Sequence, residues 1–463
     1  MKRLKWSGAA LAATVGASLL TACDVKKELL EPQQPGVISP AAVNSPTAAE
    51  AVYAGAIGRW SAALNGGNTS NTDALWGFEA LFTDEIRSGD TFSQRNDADQ
   101  RVTKSNDTVL LPIYNAVQQA RGRARDAINA LAAFDTSATG RTHIGESYLA
   151  MASLETALDE AFCSGVPFGE TVNGTPQYTV QLTTADGFKL ALARLDTALT
   201  YLTGADAATV AVKNAVLIAR GRLQVNLGDF ASAATTVAAV PTTYQYNFTY
   251  TQTTQDNEWW IMQPSVKRYN AGDSVDIAGP IQNAIPFARL GDPRVGVTIN
   301  GKAEDNISTF YGITNWNRDD PTPPFSGIDA RLIEAEARLQ ANDITGMMTI
   351  LNTLRGSAQT IGVFKIAAMA ALPTPASQSA ATDLFFREKA LWQFQRGWRM
   401  EDLRRLVRQY ARTQDKVFPA GNFTRNGTPS GQFGALVAFP IPDAGIGSEI
   451  SNPNFKGCLD TTT

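Results

Sequence analysis

Three aromatic-and-polar clusters hold the residue types best suited to ligand chemistry in this 463-residue chain. Trp259 and Trp260 are adjacent, flanked by Asp256, Asn257, Glu258 and Gln263. Tyr311 precedes Asn315, Trp316, Asn317 and Arg318, and Phe92 precedes Arg95, Asn96 and Asp97. A ring beside amide, carboxylate and guanidinium groups can stack on an apolar ligand face while the polar groups orient it. Neighbouring tryptophans point to different faces of a helix or strand, so at least one of Trp259 and Trp260 is hard to bury. Covalent chemistry has less to work with. The chain has 1 histidine, His143, which excludes any site needing two imidazoles. On a helix beginning near Thr139, His143 reads as a surface or packing residue. Neither a GxxxxGK[ST] phosphate loop nor an EF-hand loop occurs. Asn96-Asp97-Ala98-Asp99 offers calcium-type oxygens, but such loop acids are ordinarily solvated, and no metal or cofactor is expected.

The three cysteines divide by position. Cys23 closes Leu20-Thr21-Ala22-Cys23, behind the positive Lys2, Arg3 and Lys5 and the uncharged stretch from Ala9 to Leu20. That order describes a secretory signal, too short for the roughly 20 residues of a spanning helix. Its Leu-Thr-Ala-Cys ending resembles the lipobox of bacterial lipoproteins, which implies that residues 1–22 are a signal peptide and Cys23 is lipidated. Cys163 and Cys458 are then the two thiols of an exported chain, and a disulfide between them is expected. Cys163 ends an apolar helix before Gly165-Val166-Pro167, and the bond would staple the irregular tail to it.

Residues 23–48, with Pro32, Pro35, Pro40 and Pro46, read as an exposed leader, and residues 49–463 as a single helical domain. A net charge of −4 leaves no electrostatic footprint for nucleic acid. No later segment approaches 18 uncharged apolar residues. The strongest signal is helical periodicity. Ile113, Val117, Ala120, Ala124, Ile128 and Leu131 form one stripe. Phe188, Leu192, Leu195, Leu199 and Leu202 form another, and Val212, Val216, Ala219, Leu223 and Leu227 a third. Arg222–Asn226 before Asp229-Phe230 matches Arg338–Asn342 before Asp343-Ile344. In each, an Ala-rich helix is broken by Asn or Gly and restarted by a capping Asp. This is a tetratricopeptide-like hairpin, and the segments 108–134 and 139–163 would make another. Residues 66–107, 241–325 and 411–463 are long polar-aromatic loops. Tyr244 to Thr251 alternates like a strand, without the pattern of a full sheet.

The C-terminal third carries a family likeness. Leu332–Arg355 (LIEAEARLQANDITGMMTILNTLR), Glu388–Arg405 (EKALWQFQRGWRMEDLRR), Phe439-Pro440-Ile441-Pro442 and Asn452-Pro453-Asn454 resemble motifs of the SusD/RagB proteins, as does the turn Thr83-Asp84-Glu85. Gly397, Arg399, Asp402, Leu403 and Arg405 match the family's Gly-x-Arg-x-x-Asp-Leu-x-Arg. Arg396 and Trp392 stand where it usually carries Glu. Arg399 and Asp402, three apart, are expected to pair on the helix. The resemblance implies a mostly α, SusD-like fold of tetratricopeptide-like hairpins with long irregular loops. It also implies a lipid-anchored protein of the outer membrane, facing outward as a lid on a TonB-dependent transporter of the SusC type. Such a protein binds oligosaccharide, or in some branches peptide, without covalent chemistry. Candidate ligand contacts are then Trp259, Trp260, Tyr311, Asn315, Trp316, Phe92, Arg95 and Asn96, with Trp60, Trp76, Trp392 and Trp398 in the core. Two other readings stand beside this one: a periplasmic helical-repeat scaffold lipoprotein and a two-carboxylate glycosidase.

Overall fold

The computed structural model describes residues 43–67, 73–172, 175–425, 427–445 and 447–462. The signal peptide, Cys23 and most of the leader lie outside them. The helical scaffold starts with α1 (Pro46–Asn65), capped by Ser45, whose side chain accepts from the Ala48 amide. Two short helices follow, α2 (Leu75–Phe82) and α3 (Ser93–Asp99). The expected first hairpin forms as α4 (Leu110–Phe134) and α5 (Ala138–Ala161), and α1 packs against both. All six residues of the first stripe, from Ile113 to Leu131, are buried.

The second and third stripes become α6 (Thr184–Tyr201) and α7 (Ala207–Asn226). On α6, Phe188, Ala191, Leu195 and Ala198 are buried, while Leu192 and Leu199 are half-buried. The buried line is thus completed by alanines, which allow the close approach of α5 and α7 that larger side chains would hold off. α7 turns into α8 (Phe230–Val237), and α9 (Gly327–Gln340) turns into α10 (Ile344–Arg355). Both turns follow the repeat. Asp229 accepts from the Ser232 amide and Asp343 from the Gly346 amide. Gly228 (φ +83°) and Asn342 (φ +58°) take the left-handed conformation that ends the preceding helix. A Cβ on Gly221 would lie 2.6 Å from Val237 Cγ1, so the α7–α8 crossing needs glycine there.

The last two helices, α11 (Gln378–Trp392) and α12 (Arg399–Arg408), close the scaffold through buried charge. Lys389 Nζ lies 2.6 Å from Asp402 and 3.3 Å from Glu336, and Arg405 bridges the same two acids. The expected Arg399–Asp402 pair is not the one that forms. Asp402 is taken by Lys389 and Arg405, and Arg399 donates to the Thr83 carbonyl at 3.2 Å. Trp60, Trp76, Trp392 and Trp398 are all core residues. Cys163 and Cys458 form a disulfide with Cα atoms 5.7 Å apart. Beside it, Cys163 donates to the Phe439 carbonyl and Leu459 to the Ser164 carbonyl.

Between helices, the polar-aromatic loops fold into two-stranded antiparallel pairs. Gln245–Phe248 pairs with Thr322–Ser326, so the alternation from Tyr244 does make a strand. Gly66–Gly67 pairs with Asp256–Asn257, Ile86–Ser88 with Tyr269–Ala271, and Val297–Lys302 with Thr309–Ile313. No helix among the described residues is long and apolar enough to cross a membrane.

Candidate functional site

The three aromatic clusters meet in one loop layer built around residues 256–271. Asp256–Asn257 pairs with Gly66–Gly67 at the end of α1, and Asn257 is the hub of the turn that follows. Its fully buried side chain accepts from the Trp259 amide and the Asn65 amide group, and donates to Thr322 and the Asp320 carbonyl. Glu258 caps the start of α2 by accepting from the Ala74 amide at 2.7 Å. Burial, reinforced by nearby Asp73, holds the Glu258 carboxyl well above the usual range. A helical turn from Glu258 through Ser265 then leads to Lys267 and Arg268 and into the strand Tyr269–Ala271.

This frame separates the paired tryptophans. Trp259 is fully buried, and Trp260 is half-buried with the Arg318 guanidinium 4.9 Å from its ring centre. Trp259 is therefore a core plug, held in by the same turn that leaves Trp260 at the surface. Trp316 is also buried, its ring against Gly362. Asn315 is buried too, with its amide spent on the Gly296 amide and the Arg294 carbonyl. Neither Trp316 nor Asn315 presents a free face. Tyr311 is half-buried, its backbone amide donating to Asn270 of the central strand.

The first loop divides in the same way. Phe92 is 46% exposed, whereas Arg95 and Asn96 beneath it are buried. Arg95 forks onto Asp73 at 2.9 and 2.7 Å and reaches Asp90 at 2.6 Å, and Asn96 donates to the Asp90 and Phe92 carbonyls. They support the ring instead of offering contacts. The acids that resembled calcium ligands are engaged as well: Asp97 pairs with Arg425, and Asp99 accepts from the Ser88 amide. Among the described residues no cluster of three potential metal ligands occurs.

Trp260, Tyr311 and Phe92 are thus the three rings that the layer leaves accessible. Residues far away in sequence complete it. Arg289 lies 5.9 Å from the Tyr311 ring and 2.8 Å from Asp273. Arg268 lies 6.0 Å from the Phe92 ring and 2.8 Å from Asp90. No spacing rule could link Arg289 to Tyr311 or Arg268 to Phe92, because only the folded loops bring them together.

A separate cavity inside the scaffold is lined by Trp60, Trp76, Glu79, Glu160, Arg222 and Phe325. Burial and the neighbouring Glu160 charge push the Glu79 carboxyl well up. Glu160 accepts from Arg222 and Asn226, and Arg222 lies 3.8 Å from the Trp398 ring centre. Glu79 and Glu160 both face this cavity, and Glu160 is committed to its ion pair with Arg222.

Searches for a matching family model and for a matching curated protein found none. Solved structures do match. A SusD superfamily protein from Bacteroides vulgatus ATCC 8482 is 14% identical, with 90% of this chain and 99% of that chain covered at a TM-score of 0.60. A SusD-like carbohydrate-binding protein from Bacteroides fragilis NCTC 9343 is 14% identical, with 89% and 99% covered at 0.63. Another SusD-like carbohydrate-binding protein from Bacteroides vulgatus is 12% identical, with 89% and 97% covered at 0.58. Over nearly its whole length this chain is built on the SusD-like fold.

Proposed function

We propose that this protein is a surface lipoprotein that captures oligosaccharide and passes it to a TonB-dependent transporter of the SusC type. The observation that carries the reading is Trp260, a half-buried ring held at the surface by a fully buried frame, on a fold shared with carbohydrate-binding proteins. Sugar rings have apolar C–H faces and hydroxyl edges. A fixed indole beside a guanidinium and a carboxylate suits both. Tyr311 and Phe92 extend the same layer, which gives a chain of sugar units more than one place to stack. Binding without turnover is the expected behaviour, since each accessible ring stands beside a charge-compensated arginine. Lipid on Cys23 holds the protein to the outer membrane, with the leader ahead of α1 as tether.

Affinity electrophoresis against a polysaccharide and peptide panel tests this reading. Retardation by at least one saccharide, with no new reducing ends after prolonged incubation, is expected. Retardation by peptides alone would replace saccharide with peptide as the cargo, and release of reducing ends would favour the glycosidase.

A further inference from the structure

Each accessible ring of the loop layer has the same two companions: a guanidinium near it and an aspartate neutralising that guanidinium. Arg318 lies 4.9 Å from the Trp260 ring centre and forks onto Asp256 at 2.7 and 3.2 Å. Arg289 lies 5.9 Å from the Tyr311 ring centre and 2.8 Å from Asp273. Arg95 and Arg268 lie 5.2 and 6.0 Å from the Phe92 ring centre and share Asp90 at 2.6 and 2.8 Å, and Arg95 also forks onto Asp73, so two cations meet two aspartates. The units come from separate parts of the chain, yet each is electrically balanced. Lys267, just before the strand Tyr269–Ala271, bonds to the Asn300 carbonyl and lies 5.5 Å from the Phe310 ring centre, while Lys302 on the Val297–Lys302 hairpin bonds to the Ile307 carbonyl.

From this pattern we infer that the layer selects uncharged, hydroxyl-rich saccharides over acidic ones. The inference rests on the reading of the layer as a saccharide site and adds the ligand's charge class to it. A hydroxyl brings no charge and can accept from the exposed edge of Arg318 or Arg289, whose partners Asp256 and Asp273 are themselves buried. The carboxylate of a uronate, or a sulfate group, also accepts but brings a negative charge. It would approach Arg318 or Arg289 with Asp256 or Asp273 already in place, and like charges at that range repel. The Arg289 and Arg318 side chains are 50% and 38% exposed, so both are within a ligand's reach. Their charge is spent internally while their hydrogen-bonding edges stay available.

The test uses the mature, folded protein with matched hexasaccharides, neutral (maltohexaose, cellohexaose, xylohexaose) and acidic (hexagalacturonate, hexaguluronate), measured by calorimetry at low and moderate salt. The best neutral probe is expected to bind at least about tenfold more tightly than any acidic one, at both salt concentrations. Asp256→Asn and Asp273→Asn each release one guanidinium and are expected to raise acidic-probe affinity by about fivefold. Melting curves confirm that each variant is folded, and the two variants serve as alternates if one fails. Wild-type binding of an acidic probe as tight as the best neutral one overturns this inference alone. So does unchanged acidic affinity in both folded variants. If neither kind of probe binds, the saccharide reading falls and takes this inference with it.

Discussion

Arg396 and Asp329, 67 residues apart in sequence, form a fully buried ion pair, with Nη2–Oδ2 at 2.5 Å and Nη1–Oδ1 at 3.1 Å. Asp329 also completes the capping box of α9 with Ser326, and Arg396 donates to Ser326 and the Pro323 carbonyl. Arg396 is thus the cation that locks the start of α9 to the α11–α12 turn. Truncating Arg396 to Ala leaves Asp329 buried without its charge partner, at a cost of about 3–5 kcal/mol. Urea unfolding should show that loss. A variant as stable as wild type would mean the pair does not secure this junction.

The disulfide gives a second prediction. Its cysteines are 295 residues apart, so replacing both by Ser frees a long loop in the unfolded chain. By the loop-entropy model the loss is at most about 5–6 kcal/mol. Non-reducing peptide mapping of exported protein should recover the linked Cys163–Cys458 pair. Two free thiols would contradict it.

Stability should rise as pH falls from about 8 toward 5. Burial pushes the Glu85 carboxyl up to about 7, from an ordinary value of 4.5. Burial also raises Glu79, Asp84, Asp159 and Glu258 well above theirs. A carboxyl raised in the folded state contributes stability that is full below its unfolded pKa and lost as pH rises through the folded one. For Glu85 that window runs from 4.5 to about 7. Glu85→Gln, which keeps an acceptor for the Gln395 amide, should flatten the dependence there. A wild-type stability that increases steadily from pH 5 to 8 would refute the assignment.

Anchoring is tested at Cys23. The mature protein should partition with membranes, and Cys23→Ala should appear as a soluble or uncleaved form, since lipid is the only grip proposed. Unchanged partitioning in the variant would remove the lipoprotein reading.

Helices were more legible in the sequence than the site was, for a physical reason. A stripe such as Ile113 to Leu131 encodes its own burial through local spacing, and Asp229 and Asp343 mark helix starts through local hydrogen bonds. Partner choice is not local. Arg399 and Asp402 stand at pairing distance on α12, but Lys389 and Arg405 hold Asp402 and the Thr83 carbonyl takes Arg399. The same limit applies to the rings. Adjacency showed that Trp259 and Trp260 must diverge, but only the Asn257 hub and the Glu258 cap decide which one is buried. Trp316, Asn315, Arg95 and Asn96 had suitable chemistry but are used up supporting neighbours, while Arg289 and Arg268 reach their rings from distant segments.

The central claim is that Trp260 is a saccharide platform, and calorimetry of Trp260→Ala against the tightest-binding neutral oligosaccharide tests it most directly. The expected loss is about tenfold in affinity or more, with the melting temperature nearly unchanged, because the ring is half-exposed. Trp259→Ala is the internal contrast: it empties a buried site and should cost about 3–5 kcal/mol of stability. Undiminished saccharide affinity in a folded Trp260→Ala protein would contradict the claim.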